Sequence, residues 1–188
     1  MGKEAFEHLL GFHGAPLLVG VKPAVLLSFR KDRFDDFDGL LASYAPCFRC
    51  KGITVCRLTE GEAFVLLLFY RARPLARLLK KPEARALLAR SGYDDGAPLA
   101  ELLSELKRHI GLQKSFPHEI GLFLGYPPAD VAGFIRHRGQ KFSLSGYWKV
   151  YGEEAEARAL FALYTHCTEE FCERLEAGQR FEDLVVAV

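Results

Sequence analysis

The sequence lacks a long hydrophobic run. The longest strongly apolar stretch, AFVLLLFY, covers only residues 63–70, whereas a helix that crosses a bilayer needs about 20 such residues. The opening residues, MGKEAFEHLLGFHGA, are acidic and amphipathic, while a secretory signal begins basic and continues apolar. We therefore expect a cytoplasmic protein with no membrane partner.

An excess of either charge is also absent. The 188 residues include 25 basic and 24 acidic side chains, so the chain has little of the long-range attraction that draws proteins to nucleic acids. Hydrophobic residues make up 49% and charged residues 26%, which is typical of a globular fold. Because no repeat or linker divides the sequence, we predict one globular domain over residues 1–188.

Several motifs that identify enzymes are missing. The sequence contains no GxxxxGK[ST], GxGxxG, HExxH or GxSxG pattern, so it points to no particular nucleotide, metal or hydrolase chemistry. Whether the protein is an enzyme, and which cofactor it uses, is left open by the sequence.

The cysteines do not form a convincing metal set. Five cysteines, an odd number, favour free thiols in a reducing compartment. Cys47 and Cys50 have the spacing of half a zinc site or of a redox pair. Cys167 and Cys172 lie five residues apart on a predicted helix and therefore diverge by about 140°, which suits chelation poorly. We predict no metal site, and redox activity of Cys47 and Cys50 stays open.

Strand and helix patterns are mixed along the chain. Strands are predicted near residues 23–29, 53–58, 63–70 and 143–151. The second and third of these flank a short turn, so they should pair as a hairpin, and the third is apolar on both faces, so it should be central. Helices are predicted over residues 4–12, 35–44, 74–81, 83–91, 99–110 and 153–177. Without a βαβ rhythm, α+β is the predicted class, with a small mixed or antiparallel sheet.

Glycine and proline set the expected helix ends. Gly14 and Pro16 should end the first helix, Pro46 should follow the second, and Gly178 should end the long C-terminal helix. Pro82 suits the first position of its helix.

The stretch EIGLFLGYPPADVAGFI, residues 119–135, is similar to the helix-turn-helix of bacterial regulators. It predicts a helical hairpin over residues 116–138, in which Gly121 allows close approach, Gly125 ends the first helix and Pro128 starts the second. A strand at residues 118–124 is the alternative.

This hairpin is poorly suited to bind DNA. Its second helix would expose Pro128, Ala129, Asp130, Ala132 and Gly133 at its start. Base reading needs Arg, Lys, Asn or Gln at such positions, and an acidic residue repels phosphate. We predict a packed hairpin and no nucleic-acid partner, and a DNA-binding regulator is kept only as an alternative.

Candidate reactive residues concentrate in residues 116–151. His118 and Glu119 stand at the entrance of an element and form a candidate acid/base pair, although a histidine there is also a common helix cap. Tyr147, Lys149 and Tyr151 alternate along one predicted strand, with Trp148 on its other face. A lysine between phenols can hold an anion, although a solvated strand face is the simpler interpretation.

These residues support two hypotheses. The first is a small-molecule or cofactor site, with enzymatic activity left open, in which His118 and Glu119 are the candidate catalytic residues. Its anionic ligand would be bound by Lys22, Tyr126, Tyr147, Trp148, Lys149 and Tyr151. The second is a non-enzymatic module that uses the helical hairpin to bind or regulate a protein partner.

Three stretches carry a family resemblance. They are APLLVGVKPAVLLSF (15–29), FPHEIGLFLGYPPADVAGFI (116–135) and GYWKVYG (146–152). Together they resemble a bacterial family known only as a domain of unknown function, which implies no activity, cofactor or fold. Members of that family tend to carry cysteine before the Ala-Pro pair, where this chain has Gly14, so a reactive thiol beside His13 is not expected here.

Overall fold

The structure is a computed structural model that describes residues 2–112 and 116–188. The helices in this part of the chain are α1 Lys3–Leu18, α2 Phe37–Cys50, α3 Ala72–Leu79, α4 Pro82–Arg90, α5 Leu99–Leu112, α6 Ile120–Phe123, α7 Pro128–His137, α8 Glu154–Glu176 and α9 Phe181–Leu184. The strands are β1 Ala24–Arg30, β2 Thr54–Glu60, β3 Phe64–Tyr70, β4 Leu144–Ser145 and β5 Lys149–Val150. Helices therefore combine with small antiparallel sheets, and the predicted α+β class is confirmed.

The larger sheet has three antiparallel strands in the order β1-β3-β2. The predicted hairpin of β2 and β3 and the central place of β3 are both confirmed. Val65, Leu67, Leu68 and Phe69 of β3 are fully buried, because a central strand with neighbours on both edges and apolar residues on both faces is covered on every side.

The first two helices continue past the residues that were expected to end them. α1 contains Gly14 and Pro16, and α2 contains Pro46. A proline removes one backbone hydrogen bond and strains the preceding turn. The last turn of α1 buries Leu17 and Leu18 completely, and tertiary packing of this kind contributes more to a helix than propensity does. The predicted early ends were therefore wrong.

The described residues divide into two compact units. The first unit comprises Met1–Ala72 with Leu163–Val188, and the second comprises Arg73–Ala162. A core rich in aromatic rings fills the first unit, with Phe6, Phe29 and Tyr44 among its fully or almost fully buried members. The single domain predicted from the sequence stays a prediction.

A buried arginine ties distant segments of the first unit together. The guanidinium of Arg71 donates to the carbonyls of Leu17 (3.1 Å), Leu18 (3.1 Å), Lys51 (2.6 Å) and Val186 (2.7 Å). Burial lowers the pKa of Arg71. The side chain is only 2% exposed, so these four carbonyls replace the water that it would otherwise bind.

The second unit contains α4 to α7 and the hairpin of β4 and β5. The predicted strand at residues 143–151 forms two short antiparallel strands, in which Leu144 pairs with Val150 and Ser145 with Lys149. The chain turns at Gly146, where a Cβ atom would lie 2.4 Å from the ring of Phe161. Because the chain reverses between Ser145 and Lys149, residues 143–151 do not alternate along one continuous strand as expected.

None of the helices in residues 2–112 and 116–188 is both long and apolar enough to span a bilayer.

Candidate functional site

A cavity of about 360 Å³ lies within the second unit. Its walls come from α6 and the turn before it, from the α6–α7 link, from α7, and from the β4–β5 hairpin. The lining residues are Phe116, Pro117, His118, Ile120, Gly121, Tyr126, Asp130, Val131, Phe134, Ser145, Gly146, Trp148 and Lys149. Most of them are apolar or aromatic, which is usual for sites that bind small molecules.

The helical hairpin shapes one side of this cavity. Residues 120–123 are helical, so the alternative of a strand at 118–124 is wrong. Gly125 adopts a positive φ of 82° and ends α6, and Pro128 occupies the start of α7. A Cβ atom on Gly121 would lie 2.9 Å from Val131 Cγ2, which explains why glycine is needed where α6 meets α7.

Asp130 does not point into solvent as expected from the sequence. It is 3% exposed, and its carboxylate accepts hydrogen bonds from the Trp148 indole and from the backbone amides of Tyr151 and Gly152, each at 2.7 Å. Gly133 is also buried, against the Tyr151 ring. The expected exposed start of α7 was therefore wrong at these two positions, because the segment after β5 packs on this helix.

The Asp130 bond fixes the indole of Trp148 in the cavity wall. Trp148 is 7% exposed. Its ring stacks on Tyr126 with centroids 5.0 Å apart and meets the edge of Phe161 at 4.5 Å. The Tyr126 hydroxyl donates to the Tyr147 carbonyl at 3.3 Å, and burial raises the pKa of Tyr126. The two rings form a rigid aromatic wall.

Lys149 supplies a positive charge to the same cavity. Its Nζ donates to the Gly139 carbonyl at 2.7 Å. The ammonium also lies 4.8 Å from the ring centroid of Phe142 and 5.8 Å from that of Phe134. An ammonium has three N–H donors, so two donors remain after the bond to Gly139. The contacts with the two rings hold the charge in place and partly out of water.

His118 stands at the cavity rim. Its ring meets Phe134 edge to face, with centroids 5.0 Å apart, and the residue is exposed. An imidazole placed this way can exchange protons with solvent and with a bound molecule. His118, Tyr126, Trp148 and Lys149 are thus four predicted site residues that line one cavity.

Glu119, the expected partner of His118, does not line the cavity. It is 6% exposed, and its Oε1 lies 2.8 Å from His109 Nδ1 and accepts from the Tyr93 hydroxyl at 3.3 Å. Burial, and then the charge of Glu119, raises the pKa of Tyr93. Because neighbouring residues in a turn point in different directions, the carboxylate that follows His118 is committed to the interior of the unit.

The other predicted ligand residues lie elsewhere. Tyr147 is exposed and packs on Phe161, and Tyr151 stacks on His137 with centroids 5.8 Å apart. Lys22 belongs to the first unit, where its Nζ lies 5.7 Å above the Tyr164 ring. Burial lowers the pKa of Lys22 to about 8.

Asp130, Phe134 and the Gly139 carbonyl were not predicted as parts of the site. Asp130 was considered only as a charge that repels phosphate. The sequence held one usable signal, since an acidic residue in the first turn of a helix commonly binds backbone amides. It held no signal for which amides these would be.

The CxxC pair lies in the last turn of α2, and both thiols are free. Burial raises the pKa of Cys47, which opposes formation of the reactive thiolate. Across the described ranges 2–112 and 116–188, no three His, Cys, Asp or Glu side chains are grouped to hold a metal ion.

A family comparison identifies the chain. Residues 10–185 match the family described as Protein of unknown function (DUF3793), and the chain belongs to this family. The resemblance noted in three stretches of the sequence is thereby confirmed. No curated protein and no solved structure matches the chain.

Proposed function

We propose that the cavity of the second unit binds a small anionic molecule with an apolar body. The observation that carries the proposal is that His118 and Lys149 line the same cavity as the aromatic side chains Tyr126, Phe134 and Trp148. The aromatic walls offer a hydrophobic surface, and the ammonium offers a counter-charge that is held in position.

The charges around the cavity favour an anion. Asp130 also lines it, but three N–H donors surround its carboxylate and offset its charge. The bonded partner of Lys149 is an uncharged carbonyl, so the ammonium keeps its full charge. The field near Lys149 is therefore positive, and His118 at the rim adds a hydrogen-bond donor or a proton carrier.

Enzymatic activity is not part of this proposal. The proposed acid/base role of Glu119 has no support from its buried contacts with His109 and Tyr93. His118 lines the cavity and is the residue of the predicted acid/base pair that could contact a bound molecule. A cytoplasmic location and the absence of a nucleic-acid partner remain predictions that accompany the proposal.

A protein-binding role is the second candidate. The exposed apolar side chains of the second unit favour it, since Phe116 is 44%, Ile135 40%, Phe142 39% and Tyr147 41% exposed. Exposed apolar clusters commonly mark protein contacts. This role does not require an anion, so dependence on the Lys149 charge separates the two candidates.

The test uses anilinonaphthalene sulfonate, an aromatic anion, as a probe. Trp148 is the single tryptophan of the chain and lines the cavity, so occupancy should quench its fluorescence. We expect saturable quenching, and we expect Lys149→Met to weaken binding about tenfold or more, because a hydrogen bond to a charged group contributes about 1.5–3 kcal/mol.

Lys107→Met is the matched control, because Lys107 is exposed on α5 in the same unit. It should bind the probe as the wild type does. Equal probe affinity in wild type and Lys149→Met, or the absence of Trp148 quenching, would contradict the proposal. In the first case the protein-binding candidate would gain support.

A further inference from the structure

The donors around the cavity define its ligand more narrowly. We infer that the cavity selects a monocarboxylate on a flat apolar or aromatic body, and that it disfavours phosphorylated molecules. This inference rests on the proposed function of the same site. It follows from how many hydrogen-bond donors remain unused beside the cavity.

Sites for phosphate usually combine several free backbone amides with more than one cation. The amides of Ile120 and Gly121 donate to the carbonyls of Pro117 and His118, both at 3.3 Å. The amide of Val131 donates to Pro127, and that of Gly146 donates to Trp148, both at 3.1 Å. These amides of the cavity lining already donate to carbonyls of the chain, so they are not available to bind phosphate.

The remaining donors suit one carboxylate. Lys149 keeps two N–H donors after its bond to the Gly139 carbonyl, and a carboxylate has two oxygens to accept them. His118 and the Ser145 hydroxyl also line the cavity, but Lys149 is the single lysine or arginine on its described lining. A phosphate monoester carries up to two negative charges, which one ammonium does not balance.

Asp130 adds a penalty against a second charge. Its carboxylate lines the same cavity, and although three N–H donors offset part of its charge, the remaining negative charge repels an anion in a partly desolvated site. A monoanion that faces Lys149 gains the attraction of the ammonium with little of this repulsion. A dianion would be repelled more strongly by Asp130, and the single ammonium of Lys149 would not compensate for this repulsion.

The aromatic side chains of the cavity determine which shape the apolar part of the ligand should have. The indole of Trp148 is held by Asp130 at 2.7 Å and supported by Tyr126, while Phe134 is close to both His118 and the Lys149 ammonium. Rings of this kind favour offset or edge contacts with another flat ring. A planar apolar body attached to a carboxylate therefore matches the wall and the charge together.

The test compares three ligands with the same ring system: naphthoate, naphthyl phosphate and naphthamide. Calorimetric titration of the full chain should give binding of naphthoate, with the phosphate and the amide weaker by about tenfold or more. Lys149→Met should remove the preference of naphthoate over naphthamide, and Lys107→Met should preserve it.

The outcomes distinguish failure of the inference from failure of the proposed function. Binding of naphthyl phosphate as tight as that of naphthoate, with naphthamide weaker, would overturn the inference and leave the anion site standing. Equal binding of all three ligands would overturn the inference and also contradict the anion site, because naphthamide carries no charge. Failure of all three with retained binding of anilinonaphthalene sulfonate at Trp148 would also overturn the inference alone. Failure of every probe would overturn both the inference and the proposed function.

Discussion

Replacing Asp130 by asparagine should destabilise the second unit strongly. One carboxylate oxygen, Oδ1, accepts from the backbone amides of Tyr151 and Gly152, and Oδ2 accepts from the Trp148 indole. An asparagine has one carbonyl oxygen and one NH2 group. In either orientation, the NH2 group would therefore face an N–H donor, and at least one buried bond would become a donor–donor contact.

The magnitude follows from these contacts. Loss of a hydrogen bond to a charged group costs about 1.5–3 kcal/mol, and an unsatisfied buried donor adds about 1–3 kcal/mol. Because Asp130 and Trp148 are both buried, water cannot replace the lost hydrogen-bond partner without a cost in free energy. We expect Asp130→Asn to lower the free energy of unfolding by about 3–5 kcal/mol.

The assay is equilibrium unfolding in urea, followed by Trp148 fluorescence and by far-ultraviolet circular dichroism. Asp95→Asn is the control, since Asp95 is exposed in the same unit and should change the free energy by no more than about 0.5 kcal/mol. A loss below about 1 kcal/mol for Asp130→Asn would show that the three bonds do not hold the hairpin to α7.

Two further predictions concern packing and pH. Gly133→Ala should lower the free energy of unfolding by about 1–3 kcal/mol, because the added Cβ would lie 2.4 Å from Tyr151. Gly111→Ala is the control, because nothing lies within 4 Å of its added Cβ. This control should leave the free energy of unfolding unchanged or raise it by up to about 1 kcal/mol. Urea unfolding measures both, and equal effects would contradict the packing argument. Burial lowers the Lys22 pKa from 10.5 to about 8, so the folded state binds fewer protons between these values and its stability should rise with pH there. The free energy of unfolding of the wild type relative to Lys22→Met should increase by up to about 3 kcal/mol from pH 8 to 10.5, and a flat or falling difference in pH-dependent urea titrations would contradict this sign.

Patterns of period two and of helical spacing predicted the large elements well. The apolar run at residues 63–70 is the central strand, and the long C-terminal helix ends before Gly178, which has a positive φ of 85°. Local signals were sufficient here because each element is long enough to show its own periodicity.

Tertiary contacts decided what the sequence could not. The burial of Leu17 and Leu18 favours continuation of α1 beyond Pro16, although a proline inside a helix locally favours the end of that helix. Likewise, period two at residues 143–151 indicated one strand, but the chain reverses between Ser145 and Lys149, and Gly146 packs against the Phe161 ring. Leu17 and Leu18 belong to a core that includes residues as distant in sequence as Phe171 and Val185, so the local pattern does not contain the information.

The candidate site was predicted in part. His118 and Lys149 were expected to share a cavity and do line the same one, whereas Glu119, predicted as catalytic together with His118, contacts His109 instead. The sequence contains residue types suited to proton transfer and anion binding. It did not give the direction in which each side chain leaves a turn, which depends on backbone angles that short motifs do not determine.

The contacts of Arg71 have a consequence for the order of folding during synthesis. Its guanidinium joins Leu17, Leu18 and Lys51, near the start of the chain, to Val186. The ribosome therefore makes this cation long before its last acceptor exists, while all of Arg73–Ala162 emerges in between. The second unit is continuous in sequence and can become native on the ribosome, whereas the guanidinium of Arg71 in the first unit lacks one of its four acceptors until Val186, which follows α9, has been translated.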